Sequence, residues 1–367
     1  MMEIKLSELD KNFKQATALD LQDLEYHHYL NGEFTISGAE HYNEEGKCLI
    51  RMPKAIIEKV KLEAGNTGVY NLAHCPAGVR IRFKTTSPYI AIKSVCSCAS
   101  VGYFSFDLYE RKGDTFKHIK NLAGNGNVSN FESFVNVGDE SSKEFEIQLP
   151  ILTCVNDVYI GLKSGSVIEK PSEYYFNKPI VFYGSSITHG ASSSRPGNAY
   201  TAIISRRLCA EYINLGFSGN AKGEVAMAEY IASLDMSAFV LDYDHNSPTV
   251  NHLEQTHERF FKIVREKNPT LPIIMVTRPN TAYNLLSDAE RREVVFKTYL
   301  NAKNSGDKNV YFVDGSCFLL SDTADTQIVD QCHPSDAGFL RMAEVIGAVL
   351  KASIRKDQNE KIYSCFD

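Results

Sequence analysis

VFYGSSITHG, Val181 to Gly190, is an apolar run that stops at a glycine followed by two serines. This run, PIVFYG in full, is followed downstream by others of its kind, YINLGF, AFVLDYD, PIIMVTRP and VYFVDG. Between them lie segments of helical period at about 198–211, 224–235, 253–267, 288–303 and 336–353. Continuously apolar strands separated by helices describe a parallel sheet covered on both faces, so this half reads as α/β. Ligands of such sheets gather beyond the carboxyl ends of the strands, which makes the residues just after each run the first candidates for chemistry.

Upstream, the rhythm is different. VRIRFKT, YIAIKSV, YFSFDLYE, EFEIQLP and DVYIGLK, between about 79 and 163, alternate apolar with polar residues and are rich in Val, Ile, Tyr and Phe. They read as half-buried strands, and the turn-rich segments AGNGN and NVGDE separate others of the same kind. An antiparallel β-sandwich of jelly-roll type follows. The linker EKPSEYYFNKP has a proline near each end, giving an expected division into 1–176, a β-sandwich domain, and 177–367, an α/β domain.

Composition narrows the function. Of 367 residues, 43% are apolar and 23% charged, as in a folded globular protein, and the formal charge of -6 offers no basic surface for nucleic acid. No apolar stretch approaches the roughly 20 residues needed to cross a bilayer, so no membrane partner is expected. The opening MMEIKLSELDKNFKQ lacks the apolar region of a secretory signal, and a cytoplasmic location is expected. Nine cysteines with no C-x-x-C pair argue for reduced, mostly buried thiols and against a zinc site.

Four stretches stand at strand ends: Gly184-Ser185-Ser186, Gly216-Phe217-Ser218-Gly219-Asn220, Asp242-Tyr243-Asp244-His245-Asn246 and Asp330-Gln331-Cys332-His333-Pro334. A serine hydroxyl attacks a carbonyl only when a base takes its proton, and the base works best when a carboxylate fixes its tautomer. Asp330 and His333, three residues apart, suit that pairing, with Ser186 as the hydroxyl. A tetrahedral intermediate also needs hydrogen-bond donors at its oxygen, and Gly219 and Asn246 fit that part.

In order and placement these blocks resemble those of the SGNH/GDSL hydrolase superfamily. FYGSSITHGASSSRPGNAY and NLGFSGNAKGE look like its two-domain bacterial branch with an N-terminal jelly roll. The resemblance implies a flavodoxin-like three-layer catalytic domain. It also implies Ser186 as nucleophile, His333 as general base and then acid, and Asp330 as its orienting carboxylate. The oxyanion hole would be the Ser186 N–H, the Gly219 N–H and the Asn246 side chain. Ser185 replaces the usual aspartate, and Asp244-His245-Asn246 is a reduced third block. Ser105-Phe106-Asp107-Leu108-Tyr109 is similar to the Gly-x-Asp-Leu-Tyr signature of the branch's first domain.

The expected activity is hydrolysis of a short acyl ester, acetyl above all, on a small molecule or oligosaccharide, with no cofactor and no metal. Arg195 and His245 are candidates for substrate contact; His189 has no assigned role. Three readings compete: a lipase or thioesterase for longer chains, a metal hydrolase using Asp242, Asp244, His245, Asp330 and His333, and a carbohydrate-binding protein stacking sugars on Tyr89, Tyr103 and Tyr109. Dinucleotide, P-loop and α/β-hydrolase sites lack their glycines or lysine.

Overall fold

The computed structural model describes residues 21, 23–39, 41–43, 48–98, 105–123, 130–279, 285–319, 322 and 324–358. Up to residue 169 the strands are β1 (Leu24–His28), β2 (Thr35–Ser37), β3 (His41–Asn43), β4 (Cys48–Ile50), β5 (Arg80–Thr85), β6 (Tyr89–Cys98), β7 (Ser105–Lys112), β8 (Thr115–Ala123), β9 (Asn130–Asn136), β10 (Lys143–Gln148), β11 (Cys154–Lys163) and β12 (Ile168–Glu169). They form two main antiparallel sheets. One runs β1-β11-β6-β9 and the other β12-β5-β10-β7-β8, with β2 also on β5. Alternate residues of both sheets, among them Ile81, Phe83, Ile90, Ile92, Phe145 and Ile160, meet in one apolar core. This is the packing that period-two sequences require, because successive side chains of a strand point to opposite faces.

The second half holds β13 (Phe176–Gly184), β14 (Ala210–Gly216), β15 (Ala238–Asp242), β16 (Ile273–Val276) and β17 (Val310–Val313). All pairs are parallel and the sheet order is β14-β13-β15-β16-β17, the doubly wound order that starts on the second strand. Both faces are covered. Val181, Tyr183, Phe239, Leu241, Ile273 and Met275 lie in the core under helices Val225–Ala232 and Val250–Lys267. Their neighbours Ile180, Phe182, Val240, Ile274 and Val276 lie in the core under Tyr200–Leu208 and the helix from Asp336. Two-sided burial explains why these runs are apolar at every position, each large side chain contributing about 1.5–3 kcal/mol.

Residues 48–73 lie in sequence between the sandwich strands β2 and β5 yet join the parallel-sheet core. Cys48, Ile50, Met52, Ile57, Val60 and Val69, on β4 and the helices Lys54–Ala64 and Thr67–Leu72, pack in the same cluster as Val181 and Phe239. The two halves are riveted by arginines. Arg51, 1% exposed, donates to Asn214 O at 2.7 Å and Gly216 O at 2.9 Å and lies over the Phe217 ring. Arg80, fully buried, donates to Tyr212 O at 3.1 Å and pairs with Glu211. Guanidinium groups carry enough donors to satisfy several strand-end carbonyls at once.

Candidate active site

Strand register sets the site. Gly184, the last residue of β13, pairs with Gly216 of β14 and Asp242 of β15, so the loops after all three strands leave the sheet at one level. That point lies between the first strand and its two neighbours, where the order reverses and a crevice opens. Ser185 caps the short helix Ser186–His189, its Oγ accepting from Ile187 N at 3.2 Å, and its own N–H donates to Asp242 O at 3.3 Å. A Cβ at position 184 would collide with Thr188 and with the Asp242 carbonyl, so the sharp turn presenting Ser186 requires glycine there.

Ser186 Oγ lies 2.8 Å from His333 Nε2, and His333 Nδ1 lies 2.8 Å from Asp330 Oδ2. An ionised carboxylate only accepts, so the imidazole proton sits on Nδ1 and Nε2 is left to receive the serine proton. The loop carrying both is closed locally: Ile328 bridges Pro334, Val329 N donates to His333 O at 3.0 Å, and Ser335 N donates to Gln327 O at 2.9 Å. Asp330 Oδ1 accepts from the backbone N–H of Cys332 at 2.7 Å and of His333 at 2.6 Å. Burial opposes ionisation of Asp330, but the His333 N–H, the imidazole and the Cys332 N–H outweigh it and hold the carboxyl below its usual range. The imidazole of His333 is pushed up to about 9, by the Cys332 sulfur first and by Asp330 next, against its partial burial.

Gly219 and Asn246 sit on the two flanking loops. Gly219 adopts φ +71° inside the turn in which Asn220 N and Ala221 N both donate to Phe217 O. A Cβ there would meet open space, so the backbone conformation and not crowding selects glycine. Asn246 closes the turn Asp244–Asn246, with its N–H on Tyr243 O at 3.0 Å. Its Oδ1 is buried without a partner among the described residues. Arg291 anchors this turn through Asp244 O at 2.5 Å and Ser247 O at 2.9 Å.

Other expected residues go elsewhere. Arg195 reaches the sandwich, donating to Asp107 Oδ2 at 2.8 Å and to Tyr109 OH at 2.6 Å. His245 lies with Nε2 2.8 Å from Cys332 Sγ, and burial, with Arg278 next, pushes its imidazole down to about 3. Asp242 accepts from Thr188 Oγ1 at 2.9 Å and Tyr200 OH at 2.8 Å, while Asp244 accepts from Arg278 N at 3.1 Å. The five-residue metal set therefore does not assemble: among the described residues the ligand cluster is Asp330, Cys332 and His333. Tyr109 is buried at 3% exposure and presents no face to a sugar, which corrects that part of the binding-module reading. Tyr103 lies outside the described residues.

Two participants escaped the sequence. His189 is fully buried, with Nε2 on the Ile151 carbonyl at 3.1 Å and Nδ1 on Ser218 Oγ at 3.1 Å, so it links the sandwich to the Gly219 loop. Burial, then Arg51, drives its pKa well below the usual value, so the ring is neutral. Cys332 is the other, half-buried between His245 and His333. Neither belongs to a spacing pattern that signals chemistry.

Residues 177–351 match the GDSL-like lipase/acylhydrolase family, and residues 24–168 match the N-terminal domain of SGNH-type esterases that is named for Gly-x-Asp-Leu-Tyr. The chain belongs to the SGNH/GDSL hydrolase superfamily. It is an ester hydrolase of the two-domain branch. A GDSL-like lipase from Bacteroides ovatus is 28% identical with a TM-score of 0.78, over 89% of this chain and 98% of that one. The salicylyl-acyltransferase of a tetracycline biosynthetic pathway shares the fold at 19% identity and TM-score 0.75, over 90% and 98%. So does an acetyl xylan esterase from Butyrivibrio proteoclasticus, at 14% identity and TM-score 0.56, over 90% and 99%. No curated protein gives a significant sequence match. No helix among the described residues of this SGNH hydrolase is long and apolar enough to cross a membrane.

Proposed function

We propose that this SGNH hydrolase removes short acyl groups, acetyl above all, from oxygens of carbohydrates through an acyl-enzyme on Ser186. The observation that carries the reading is the unbroken chain from Ser186 Oγ to His333 Nε2 at 2.8 Å and from His333 Nδ1 to Asp330 Oδ2 at 2.8 Å. His333 Nε2 takes the hydroxyl proton as Oγ attacks the ester carbonyl, and returns it to the leaving alcohol. Water, deprotonated by the same nitrogen, then releases the acid. The negative oxygen of each tetrahedral intermediate is received by the N–H groups of Ser186 and Gly219 and by the Asn246 amide. Asp330 holds the Nδ1–H tautomer and stabilises the imidazolium formed at each step.

The acyl and sugar preferences rest on kinship of fold with proteins described as carbohydrate esterases and as an acetyl xylan esterase. Rates on matched acetyl, butyryl and octanoyl esters, with acetate release from acetylated xylan, test them. Preference for acetyl is expected; preference for octanoyl transfers the assignment to a longer-chain lipase or thioesterase. Ser186→Ala should lose about 10³-fold or more in kcat while remaining folded. A wild-type protein that neither hydrolyses an acetyl ester nor takes a fluorophosphonate label is a binding protein.

A further inference from the structure

His189 ends the short helix that Ser186 begins and takes no part in the proton transfers, yet its ring reaches from one domain to the other. The Ile151 carbonyl, in the loop between β10 and β11, lies 3.1 Å from Nε2 and can only accept, so the proton of this buried neutral ring sits on Nε2. Nδ1 is thereby left bare. It accepts from Ser218 Oγ at 3.1 Å and from the Ser218 N–H at 3.4 Å. The approach is close: a Cβ at Gly216, two residues before Ser218, would fall 2.2 Å from His189 N.

The other side of Ser218 is held as well. Its carbonyl accepts from Asn220 Nδ2 at 2.6 Å. Asn220 is fixed in turn by the segment before β5, where Asn66 Nδ2 donates to its carbonyl at 2.7 Å and its side chain fills the space that a Cβ at Gly68 would need. The Ser218–Gly219 peptide is trans, so the Gly219 N–H points away from the carbonyl that Asn220 holds. That N–H donates to no described residue. Pinning Ser218 at its N–H, its hydroxyl and its carbonyl therefore sets the direction of the donor that follows.

We propose that His189 and Asn220 are positioning residues that aim the Gly219 N–H at the oxyanion through Ser218, and that Ile151 of the first domain contributes to hydrolysis by fixing the His189 tautomer. Both side chains act through Ser218 and not on the ester. A donor aimed beforehand needs no reorganisation as charge develops, and a misplacement of about 1 Å can cost about 10²-fold in rate. The inference rests on the proposed role of Gly219 as an oxyanion donor.

The test measures kcat and KM for an acetyl ester on the full-length protein, together with inhibition by a methyl trifluoromethyl ketone, whose adduct with the serine carries the oxyanion. Ser218→Ala and Asn220→Ala should each lower kcat and weaken the ketone at least about tenfold, less than the loss of about 10²–10³-fold for removing a donor outright, with KM within about twofold of wild type. Ser218→Thr keeps the hydroxyl and should restore both. His189→Gln keeps a donor for Ile151 but loses the Nδ1 acceptor, so adding Ser218→Ala to it should cost less than about twofold more, since both changes remove one contact. Should urea unfolding show that His189→Gln does not fold, the comparison of Ser218→Ala with Ser218→Thr decides. Ser218→Ala and Asn220→Ala within about twofold of an active wild type overturn the positioning, as do equal losses for Ser218→Ala and Ser218→Thr or fully additive losses with His189→Gln. A wild type that hydrolyses no ester and takes no fluorophosphonate label defeats the hydrolase reading, and this inference with it.

Discussion

Asp107, fully buried on a sandwich strand, accepts from Arg195 Nη1 at 2.8 Å, nine residues beyond the candidate nucleophile. The same carboxylate oxygen takes the Gly197 N–H at 2.8 Å. This segment then clasps the histidine loop: Ser192 Oγ donates to Pro334 O at 2.7 Å, and Asn198 Nδ2 donates to Asp336 Oδ2 at 2.8 Å. The aspartate of the Gly-x-Asp-Leu-Tyr-like motif thus ties the first domain to both sides of the site.

Asp107→Ala should therefore destabilise the protein by about 3 kcal/mol, because it removes the carboxylate paired with the Arg195 guanidinium and leaves the buried Gly197 N–H without its acceptor. Hydrolysis should fall through kcat more than through KM, since the clasp bears on the His333 loop. Urea unfolding and steady-state kinetics check both; unchanged stability would remove Asp107 from the interface argument.

Asn246→Ala is expected to lower kcat by about 10²–10³-fold, the usual loss for one oxyanion donor, with little change in KM. Its Oδ1 makes no bond to another described residue, so no protein donor loses a contact through that atom. A kcat within twofold of wild type would assign the third donor elsewhere.

The raised pKa of His333, about 9, works in opposite directions for activity and stability. Catalysis needs neutral Nε2, so kcat/KM of the free enzyme should climb with pH until about 9 and then level. The stability contribution has the other sign: it is complete below the unfolded histidine pKa and is lost as pH rises through about 9. Cys332→Ala should move the kinetic limb to lower pH, because the sulfur is the largest contributor to the shift. A limb that stays in place would leave Asp330 as its sole cause.

Asp242 titrates the other way from an ordinary paired carboxylate. Burial, with Asp244 next, raises it to about 8, despite the hydroxyls of Tyr200 and Thr188. The folded state therefore holds a proton that the unfolded state has released, and this group destabilises progressively as pH rises from about 4 to 8. Asp242→Asn keeps an accepting oxygen and removes the titration. Its stability relative to wild type should improve between pH 5 and pH 8, measured by denaturant unfolding at both; a constant difference would show that Asp242 is ionised throughout.

Much of this was legible without coordinates, and for a physical reason. A strand covered by helices on two faces reads as apolar throughout, so VFYG and AFVLD marked the parallel sheet, while the apolar-polar alternation of RIRFKT marked the sandwich, although its Arg80, Arg82 and Thr85 are buried too. The short strands β2 to β4 and the helices between residues 54 and 72 were not anticipated, because three-residue strands carry almost no period and those helices bury faces against a distant part of the chain.

What the amino-acid order alone determined was which chemistry could stand at the strand ends: a serine after a glycine turn, and an aspartate and histidine three apart. Only the tertiary structure decided that the histidine meets a serine 147 positions away, that Arg195 faces Asp107 and not solvent, and that Cys332 meets His245. Local sequence governs backbone period and turns. Contacts between loops depend on strand register and on which elements fill the space around them, and no short stretch of sequence carries that information.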